Sequence, residues 1–510
     1  MRTGCFAGML FAAGICLSAG ASFAADEIPE RAPYSRAREW KCVYSSVEGP
    51  QGKALKILTE TVTKHTMRDH QTTTPHVFAM EKDGTSIERA KKHRIVVGMP
   101  SENRTLAKYL KPGDVPKGGY LIRTVSENGS HSILIAGDTP EAVLWGVFDF
   151  ADVALHEIAM KGLGDKLPVG RQVRLEHVFS IRNMPEYERR CEPENEVRSL
   201  FTWGYMIDDY RSFFREMART RLNRIIVWNK YPPVNSDAVV REAHDWGIKV
   251  YWGFAWGWQH NMCANSPTRD LSKLADDIVA EWRSVWKPLS GDGIYFQTFT
   301  EQEREDINGR SIASMAVEVV NAASRRIHAE SPDTDIVFGL HAMSVKNRLA
   351  EIEQTDKNIE ILWEDCGGFP YHEETGNPDA GFVMKMTDTL RPVGLVWKCQ
   401  LRQDWTCWAH QSGPFMLGEA GEWALARDRA VAKPLHRAFD SDWIKRGRIA
   451  YDHLKAIRSA GRKVKELNVV TEYNPPFAFS TLLQTEMFWS TKEPYETLLD
   501  RALRRASLAE

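Results

Sequence analysis

The stretch GIYFQTFTEQ, residues 293–302, is an apolar run that ends in threonines and a carboxylate. Its β-branched and aromatic residues predict a buried strand, and Glu301 is the first charged residue after it. Runs of this kind recur from residue 179 to the end of the chain, and helical patterns follow most of them. Seven or eight such units in roughly 330 residues predict a closed parallel (β/α)8 barrel, the TIM-barrel fold.

The predicted barrel strands share an apolar core followed by a polar or Gly/Pro-containing loop. They are SIRNMPEYE (180–188), NRIIVWN (223–229), KVYWGFAWG (249–257), GIYFQTFT (293–300), DIVFGLHA (335–342), IEILWED (359–365) and VGLVWKC (393–399). Two segments compete for the eighth strand, LNVVTEYN (467–474) and TLLQTEMFW (481–489). The predicted barrel domain covers residues 178–510 and includes additional C-terminal helices.

A small α/β domain is predicted over residues 26–177, ahead of the barrel. Its strands are HRIVVGMP (93–100), GGYLIRTV (118–125) and SILIAGD (132–138), and a helix is expected over 52–66. A second helix is expected to begin at Thr139 and Pro140, because threonine is a good N-cap and proline suits the first helical position. The predicted fold class is therefore α/β, a TIM barrel preceded by a small α/β domain.

Residues 1–25 are typical of an export signal. Arg2 precedes an apolar stretch from Phe6 to Ala21, and the small residues near Ala24 predict cleavage after Ala24 or Ala25. The apolar stretch is short for a membrane span. We therefore expect a periplasmic or secreted protein that has no membrane anchor after cleavage.

The composition indicates which classes of partner the chain binds. The formal net charge is −2, which gives no basic field for nucleic acid. The eight cysteines form no pattern of zinc ligands, and we predict neither a metal nor a cofactor. The chain has 17 tryptophans, whose flat faces fill cores and also stack on sugars. A carbohydrate is the expected partner, and a homodimer stays open.

Barrel enzymes carry their active sites at the carboxyl ends of the strands. The polar and aromatic residues expected there are Asn229, Trp256, Trp258, His260, Glu301, His341, Glu364, Asp365, Lys398, Gln400 and Arg402. Glu186 and Glu188 on the first predicted strand, and Glu486 on one candidate for the eighth, are further candidates. Such a set of carboxylates, amides, histidines and tryptophans suits carbohydrate binding and acetal cleavage.

Glycosidic hydrolysis needs a protonated carboxyl group on one side of the scissile bond and a carboxylate on the other. Glu301 is the candidate acid, Asp365 the candidate base, and Glu364 its alternate, since only one of two consecutive strand residues normally faces the site. The other strand-end residues are candidates for substrate binding. Structural roles compete with this hypothesis: His260 and His341 suit hydrogen bonding within the barrel, and Asp208 and Asp209 suit helix capping.

Two segments resemble the alpha-glucuronidases of glycoside hydrolase family 67. They are ILIAGDTPEAVLWGVFDF (133–150) in the small domain and GIYFQTFTE (293–301) on the fourth barrel strand. The small domain is also similar to the one that precedes the barrel in family 20 beta-hexosaminidases. The resemblance implies that the strand-four Glu301 is the general acid and that a carboxylate ending strand six, Asp365, belongs to the base.

Three departures leave the sugar open. The resemblance implies a second base carboxylate near the end of strand seven, where this chain has Lys398, Cys399 and Gln400. The lysine expected before the acid is replaced by Gln297 or its neighbours, and Thr300 stands where a hexosaminidase mechanism needs an aspartate. The leading hypothesis is an exported, exo-acting glycoside hydrolase for plant or algal oligosaccharides. The alternatives are a non-catalytic carbohydrate-binding protein on the same scaffold and a beta-hexosaminidase-like enzyme.

Overall fold

The structure, a computed structural model, consists of a small α/β domain followed by a closed barrel, which confirms the predicted fold class. It describes residues 39–66, 79–85, 92–167, 173, 175–202, 206–255, 270–302, 304–341, 344–364, 380–389, 391–398, 410–418, 433–462, 464–470 and 478–509.

The small domain is built on one mixed sheet. Its strands are β1 (Trp40–Tyr44), β2 (Ala79–Lys82), β3 (His93–Gly98), β4 (Tyr120–Glu127), β5 (Ser130–Gly137) and β6 (Glu188–Cys191). The strand order is β2-β1-β3-β5-β4-β6, with β4 antiparallel to both of its neighbours. Asn128 and Gly129 connect β4 to β5 with φ angles of 51° and 72°, the left-handed pair that a two-residue hairpin requires.

Helices pack against this sheet. They span Gly49–Thr66, Arg104–Tyr109, Pro140–Asp149, Leu155–Leu163 and Leu175–Ser180, with a π-helical turn over Phe150–Ala154 and a 3-10 turn over Gly164–Lys166. The predicted helix start is confirmed, because the Thr139 side chain accepts a hydrogen bond from the Ala142 backbone N–H and Pro140 occupies the first turn.

Eight parallel strands close the barrel. In chain order the strands of this region are β7 (Val197–Phe201), β8 (Arg224–Trp228), β9 (Lys249–Ala255), β10 (Gly293–Gln297), the hairpin strands β11 (Asp306–Ile307) and β12 (Arg310–Ser311), β13 (Asp335–His341), β14 (Ile359–Glu364), β15 (Val393–Lys398) and β16 (Val464–Val470). The hairpin lies outside the barrel sheet, and β16 pairs with β7 to complete the ring.

Helices alternate with the barrel strands, as the sequence predicts for parallel pairing. They span Tyr210–Arg219, Ser236–Asp245, Leu271–Glu281, Ile312–Glu330, Leu349–Ile352, Ala380–Met386, Lys433–Ser459, Phe479–Trp489 and Tyr495–Ala509, with a π-helical turn over Trp282–Trp286.

Two sequence predictions for the barrel need correction. The first predicted strand, 180–188, is wrong, because the first barrel strand is β7 and residues 188–191 form β6 of the small sheet. The small sheet therefore continues past the predicted boundary at residue 177. Of the two candidates for the eighth strand, residues 467–470 lie in β16, while 481–489 lie in the buried helix Phe479–Trp489.

The two domains meet over a buried group of charged residues, here called the interface cluster: Asp149, Arg189, Arg221, Glu486 and Arg505. Arg505 lies 3.0 Å from Asp149 Oδ1 and 2.6 Å from Glu486 Oε1. Arg189 pairs with Asp149, and Arg221 with Glu486. Because these residues come from a helix and a strand of the small domain, from the barrel and from the last two helices, the cluster connects three parts of the chain.

Candidate active site

The interior of the barrel is filled by one apolar side chain from each strand. These are Phe201, Ile226, Tyr251, Tyr295, Val337, Leu362, Val396 and Val470. Side chains on a strand alternate between its two faces, so residues two or four positions further along also face the interior. This places Gln297 on β10, His341 on β13 and Glu364 on β14 on the inward face at the carboxyl rim.

The register of the strands brings these residues together. Gln297 pairs with Gly339 across β10 and β13, and His341 pairs with Glu364 across β13 and β14. Glu301 follows β10 by four residues. We refer to Gln297, Glu301, His341 and Glu364 as the mouth cluster.

Glu364 is the buried carboxylate of the mouth cluster, with a side chain only 3% exposed. Its Oε1 accepts a hydrogen bond from the Gln297 amide, which also donates to the Tyr295 hydroxyl at 3.0 Å. Its Oε2 lies 3.8 Å from Nε2 of His341. Burial disfavours a charged carboxyl group, whereas hydrogen bonds donated to it favour the charged form. Glu364 is therefore a buried carboxyl group with a hydrogen-bond donor, the Gln297 amide, that favours its charged form.

Glu301 is the accessible carboxylate, with a side chain 36% exposed. Its Oε2 lies 4.0 Å from the same His341 nitrogen. Since one nitrogen is close to both carboxyl groups, these two oxygens are no more than about 8 Å apart. His341 thus stands between one exposed and one buried carboxyl group.

A tight turn holds Glu301 at the rim. The Thr300 N–H donates to the Thr298 carbonyl at 2.8 Å, and the Gln302 amide donates to the Phe299 carbonyl at 2.6 Å. The Thr300 hydroxyl accepts from the His341 backbone N–H at 3.2 Å, and its carbonyl accepts from the Ser344 hydroxyl at 2.5 Å. Thr300 therefore ties the turn that carries Glu301 to the next strand of the barrel.

Asn229, a predicted substrate contact, anchors a loop. Its amide nitrogen donates to the carbonyls of Tyr231 and Gln411 at 2.6 and 2.7 Å, and its oxygen accepts from the Gln411 N–H at 2.9 Å. Nδ1 of His410 lies 3.2 Å from the same oxygen. These contacts fasten the segment 410–418 to the end of β8, and a contact between Asn229 and substrate stays a prediction.

Several predicted site residues lie outside the described part of the chain. They are Asp365, Trp256, Trp258, His260, Gln400 and Arg402. Lys398 is the last residue of β15, and its side chain is not among those described. The structure therefore brings together Glu301, His341 and Glu364 from the predicted set.

Other carboxylate candidates lie away from the mouth. Glu188 is on β6 of the small sheet and pairs with Arg123 at 2.8 Å, and Glu486 belongs to the interface cluster. Glu186 lies just before β6 of the small sheet and is not at the end of a barrel strand, as the predicted strand 180–188 would have placed it. Asp209 caps the helix Tyr210–Arg219 by accepting from the Arg211 N–H, as the capping alternative expects.

Two contributors to the mouth of the barrel, Gln297 and Thr300, are not among the site residues predicted from the sequence. The period of two within β10 is a signal that finds Gln297, since it lies two positions after the interior Tyr295. Thr300 has no comparable signal, because its role depends on hydrogen bonds to residues 41 and 44 positions later in the chain.

A cavity of about 960 Å³ lies at the opposite end of the barrel. The first residues of strands line it, among them Arg224, Lys249 and Asp335, together with Glu141 and Trp145 of the small domain. Its volume reflects the gap between the domains, and Glu301 and Glu364 do not line it.

Among the described residues, no group of three or more His, Cys, Asp or Glu side chains could hold a metal ion. None of the described helices combines the length and apolarity needed to cross a membrane.

Comparison with known families supports the resemblance in the small domain. Residues 60–150 match the family model described as the glycosyl hydrolase family 67 N-terminus. This match confirms the predicted resemblance for that region. No curated protein sequence matches the chain.

Solved structures with a similar arrangement are distant in sequence. A GH138 enzyme targeting pectin rhamnogalacturonan II has 11% identity and a TM-score of 0.44 over 87% of this chain, which spans only 47% of that protein. A GH20 exo beta-N-acetylglucosaminidase from Vibrio harveyi has 10% identity and a TM-score of 0.44, over 93% of this chain and 74% of that one. A beta-N-acetylhexosaminidase from Bacteroides fragilis has 9% identity and a TM-score of 0.45, over 91% of this chain and 90% of that one.

Proposed function

We propose that the chain is a glycoside hydrolase in which Glu301 is the general acid and Glu364 the second carboxylate. The observation that carries the proposal is the approach of both carboxyl groups to one imidazole at the carboxyl rim of the barrel, with oxygens no more than about 8 Å apart. Retaining glycosidases separate their carboxyl groups by about 5–5.5 Å and inverting ones by about 6.5–9.5 Å. The spacing is compatible with either course.

The different surroundings of the two carboxyl groups suggest their roles. Glu301 is accessible to solvent and to a leaving group, so it suits proton donation followed by reprotonation. Glu364 is buried and accepts a hydrogen bond from Gln297, which suits a carboxylate that stays charged. Asp365 remains the alternative base predicted from the sequence, outside the described residues.

The reaction follows from these roles. Glu301 transfers its proton to the glycosidic oxygen while the bond between that oxygen and the anomeric carbon breaks. In an inverting reaction Glu364 takes a proton from the water whose oxygen bonds to the anomeric carbon. In a retaining reaction a Glu364 oxygen bonds to that carbon, and a water oxygen later bonds to the same carbon while its proton passes to Glu301 and the bond to Glu364 breaks.

The proposed substrates are plant or algal oligosaccharides cleaved from one end. This part of the proposal is supported by the family 67 N-terminal match and by the sequence resemblance of the fourth strand. Sequence departures at Lys398 and Thr300 leave the particular sugar to experiment.

A screen of aryl glycosides and plant or algal oligosaccharides tests the proposal. On any substrate turned over, Glu301→Gln and Glu364→Gln should each lower kcat/KM by roughly 10²–10⁴-fold, the usual contribution of an acid or base. Glu318→Gln is the matched control, since Glu318 is an exposed helix residue paired with Arg310. NMR of the first-formed anomer decides between inversion and retention.

Two outcomes would contradict the proposal. Full activity of Glu301→Gln on its best substrate would remove the general acid. Saturable oligosaccharide binding without turnover anywhere in the panel would favour the alternative, a non-catalytic carbohydrate-binding protein.

We also propose that the chain is exported to the periplasm or secreted, on the strength of residues 1–25, which lie outside the described residues. Sequencing the amino terminus of protein recovered from the producing cells should give a start at Ala25 or Asp26. An intact Met1 terminus on the exported protein would contradict the cleavage.

A further inference from the structure

We propose that Gln297 is a positioning residue that holds Glu364 in its orientation and in its charged form. The inference rests on the proposed function, because it explains how two neighbouring carboxyl groups take different roles. The Gln297 side chain does not contact solvent, since it is fully buried at the end of β10. It acts on the reaction through Glu364.

The Gln297 amide nitrogen has two hydrogens, and the structure gives each a partner. One hydrogen bond goes to Glu364 Oε1 and the other to the Tyr295 hydroxyl at 3.0 Å. With both hydrogens engaged, the amide is fixed at two points. A charged Glu364 is the form that accepts such a bond on this oxygen without a rival proton.

The orientation of the amide is linked to the protonation of Glu364. If the amide flipped, its carbonyl oxygen would face the carboxylate oxygen, and two acceptors would meet in a buried site. Only a protonated Glu364 could donate to that oxygen. The observed arrangement therefore stabilises the charged form and offsets the burial that disfavours it.

Tyr295 fixes the other side of the amide. Its hydroxyl occupies space that exists only because residue 339 is glycine: a Cβ built at Gly339 would lie 2.1 Å from that oxygen. Gly339 is the register partner of Gln297 on β13. Gly339 thus leaves room for the Tyr295 hydroxyl, which accepts from the Gln297 amide, and that amide donates to Glu364.

Three groups among the described side chains surround the contact between Gln297 and Glu364. His341 lies 3.8 Å away on β13, and Glu301 approaches the same imidazole from the turn after β10. Tyr295 lies on β10, where its hydroxyl accepts from the Gln297 amide at 3.0 Å. The Gln297 amide is neutral and does not titrate, so the hydrogen bond that it donates does not depend on a change in its own charge.

The test is the titration of Glu364 itself in protein labelled at the glutamate carboxyl carbon. The Glu364 signal is assigned by its loss in Glu364→Gln, and its midpoint is followed by carbon-13 NMR. Gln297→Met keeps the length of the side chain but removes the donor, so the midpoint should rise by about one pH unit. Gln51→Met is the matched control, because Gln51 is a buried glutamine that donates to the Glu102 carboxylate at 3.1 Å in the small domain.

Two further variants keep the test decisive if Gln297→Met folds poorly. Tyr295→Phe leaves the amide in place but frees one side of it, and should shift the midpoint in the same direction by less. Gln297→Glu replaces the donor by a second carboxyl group, and should raise the midpoint by more than Gln297→Met does. An unchanged midpoint in any folded Gln297 variant would overturn the proposal.

Turnover separates this inference from the proposed function. On an active substrate, the acidic limb of the kcat/KM profile should move upward with the NMR midpoint, while Gln51→Met leaves it in place. A shifted midpoint in a protein whose Glu364→Gln variant is fully active would refute the catalytic role of Glu364 and keep the Gln297 contact. An unshifted midpoint in a protein that needs Glu364 would do the reverse.

Discussion

Two buried groups of acidic residues in this molecule are partnered in different ways. In the interface cluster, Asp149 and Glu486 are met by the guanidinium groups of Arg189, Arg221 and Arg505. In the mouth cluster, the described contacts to Glu364 come from the Gln297 amide and the His341 imidazole. A guanidinium stays charged at all relevant pH values, whereas an amide is neutral and an imidazole titrates.

This difference decides what each carboxyl group can do. Burial opposes the charged form of Glu486, but Arg221, Arg505 and Arg501 outweigh it and lower the pKa of that carboxyl to about 2. A group held so far from neutrality cannot exchange a proton during a reaction. The interface cluster therefore connects the two domains through charges held by arginines, and its carboxyl groups do not suit proton transfer.

The largest expected effect is on stability when the interface cluster loses a charge. Glu486→Gln leaves the buried Arg221 without its carboxylate and removes one of the two carboxylates of Arg505, and it should lower the free energy of unfolding by roughly 3–5 kcal/mol. Urea denaturation followed by tryptophan fluorescence measures the change. Glu496→Gln, which removes an exposed partner of Arg448, should cost under about 1 kcal/mol. Equal costs would mean that the interface cluster is no more than a surface ion pair.

The contrast also shows what the sequence could predict. The apolar runs fix strand positions well: β10, β13, β14 and β15 lie where the pattern placed them. The segment 481–489 misled because the helix that contains it is buried on every side, and a short buried helix has no polar face to distinguish it from a buried strand. Its Glu486 looked like a strand-end carboxylate, and only the arginines folded against it reveal a structural role.

The strand-end residues of the candidate site could be predicted from the sequence, but the hydrogen bonds that hold them could not. Glu301, His341 and Glu364 stand at strand ends, which the barrel hypothesis marks for function. Glu364 was the alternate to Asp365, because the sequence does not show which of two neighbours faces inward. The hydrogen bonds of Thr300 and Gln297 join segments distant in sequence, so they follow only from the closed barrel.

Another buried carboxylate, Glu466, lies at the other end of the barrel and extends the comparison. It shares Arg224 with Glu360, at 2.6 and 3.3 Å, so one guanidinium serves two carboxyl groups. Burial raises the pKa of Glu466 to about 7, with Glu360 acting in the same direction and Arg224 opposing. In its partners, Glu466 is intermediate between the two clusters, because it has a guanidinium partner but shares it with a second carboxyl group.

The second prediction follows from that pKa. Between the ordinary value of 4.5 and about 7, folded protein binds a proton at Glu466 that unfolded protein has lost, so stability falls as pH rises through this window. Glu466→Gln should remove this fall, which is on the order of 3 kcal/mol. Urea denaturation at pH 4.5 and pH 7.5 measures it, with Glu318→Gln as the exposed control. Identical pH dependence in the Glu466→Gln variant and the parent would contradict the assignment.

The third prediction concerns the turn that carries Glu301. Thr300→Val keeps the shape of the side chain but leaves the buried His341 N–H without its acceptor, at a cost of about 1–2 kcal/mol. The value of kcat/KM should fall by more than the loss of folded protein explains, because the turn orients the proposed acid, Glu301. Thr61→Val, on a helix of the small domain, is the matched control and should change stability by under about 0.5 kcal/mol. A loss of stability with full activity would separate the turn from the chemistry.

The smallest expected effect has the opposite sign and tests the comparison most directly. Glu364→Gln removes a buried charge but keeps an oxygen that can accept from Gln297, so it should raise the free energy of unfolding by about 1 kcal/mol. Glu486→Gln is the same substitution at a similarly buried position, yet there it strands arginines. If a carboxylate is retained at the mouth for function, its removal stabilises the protein and abolishes turnover. If Glu364→Gln destabilises the protein as Glu486→Gln does, then Glu364 is a structural residue and the two clusters do not differ in kind.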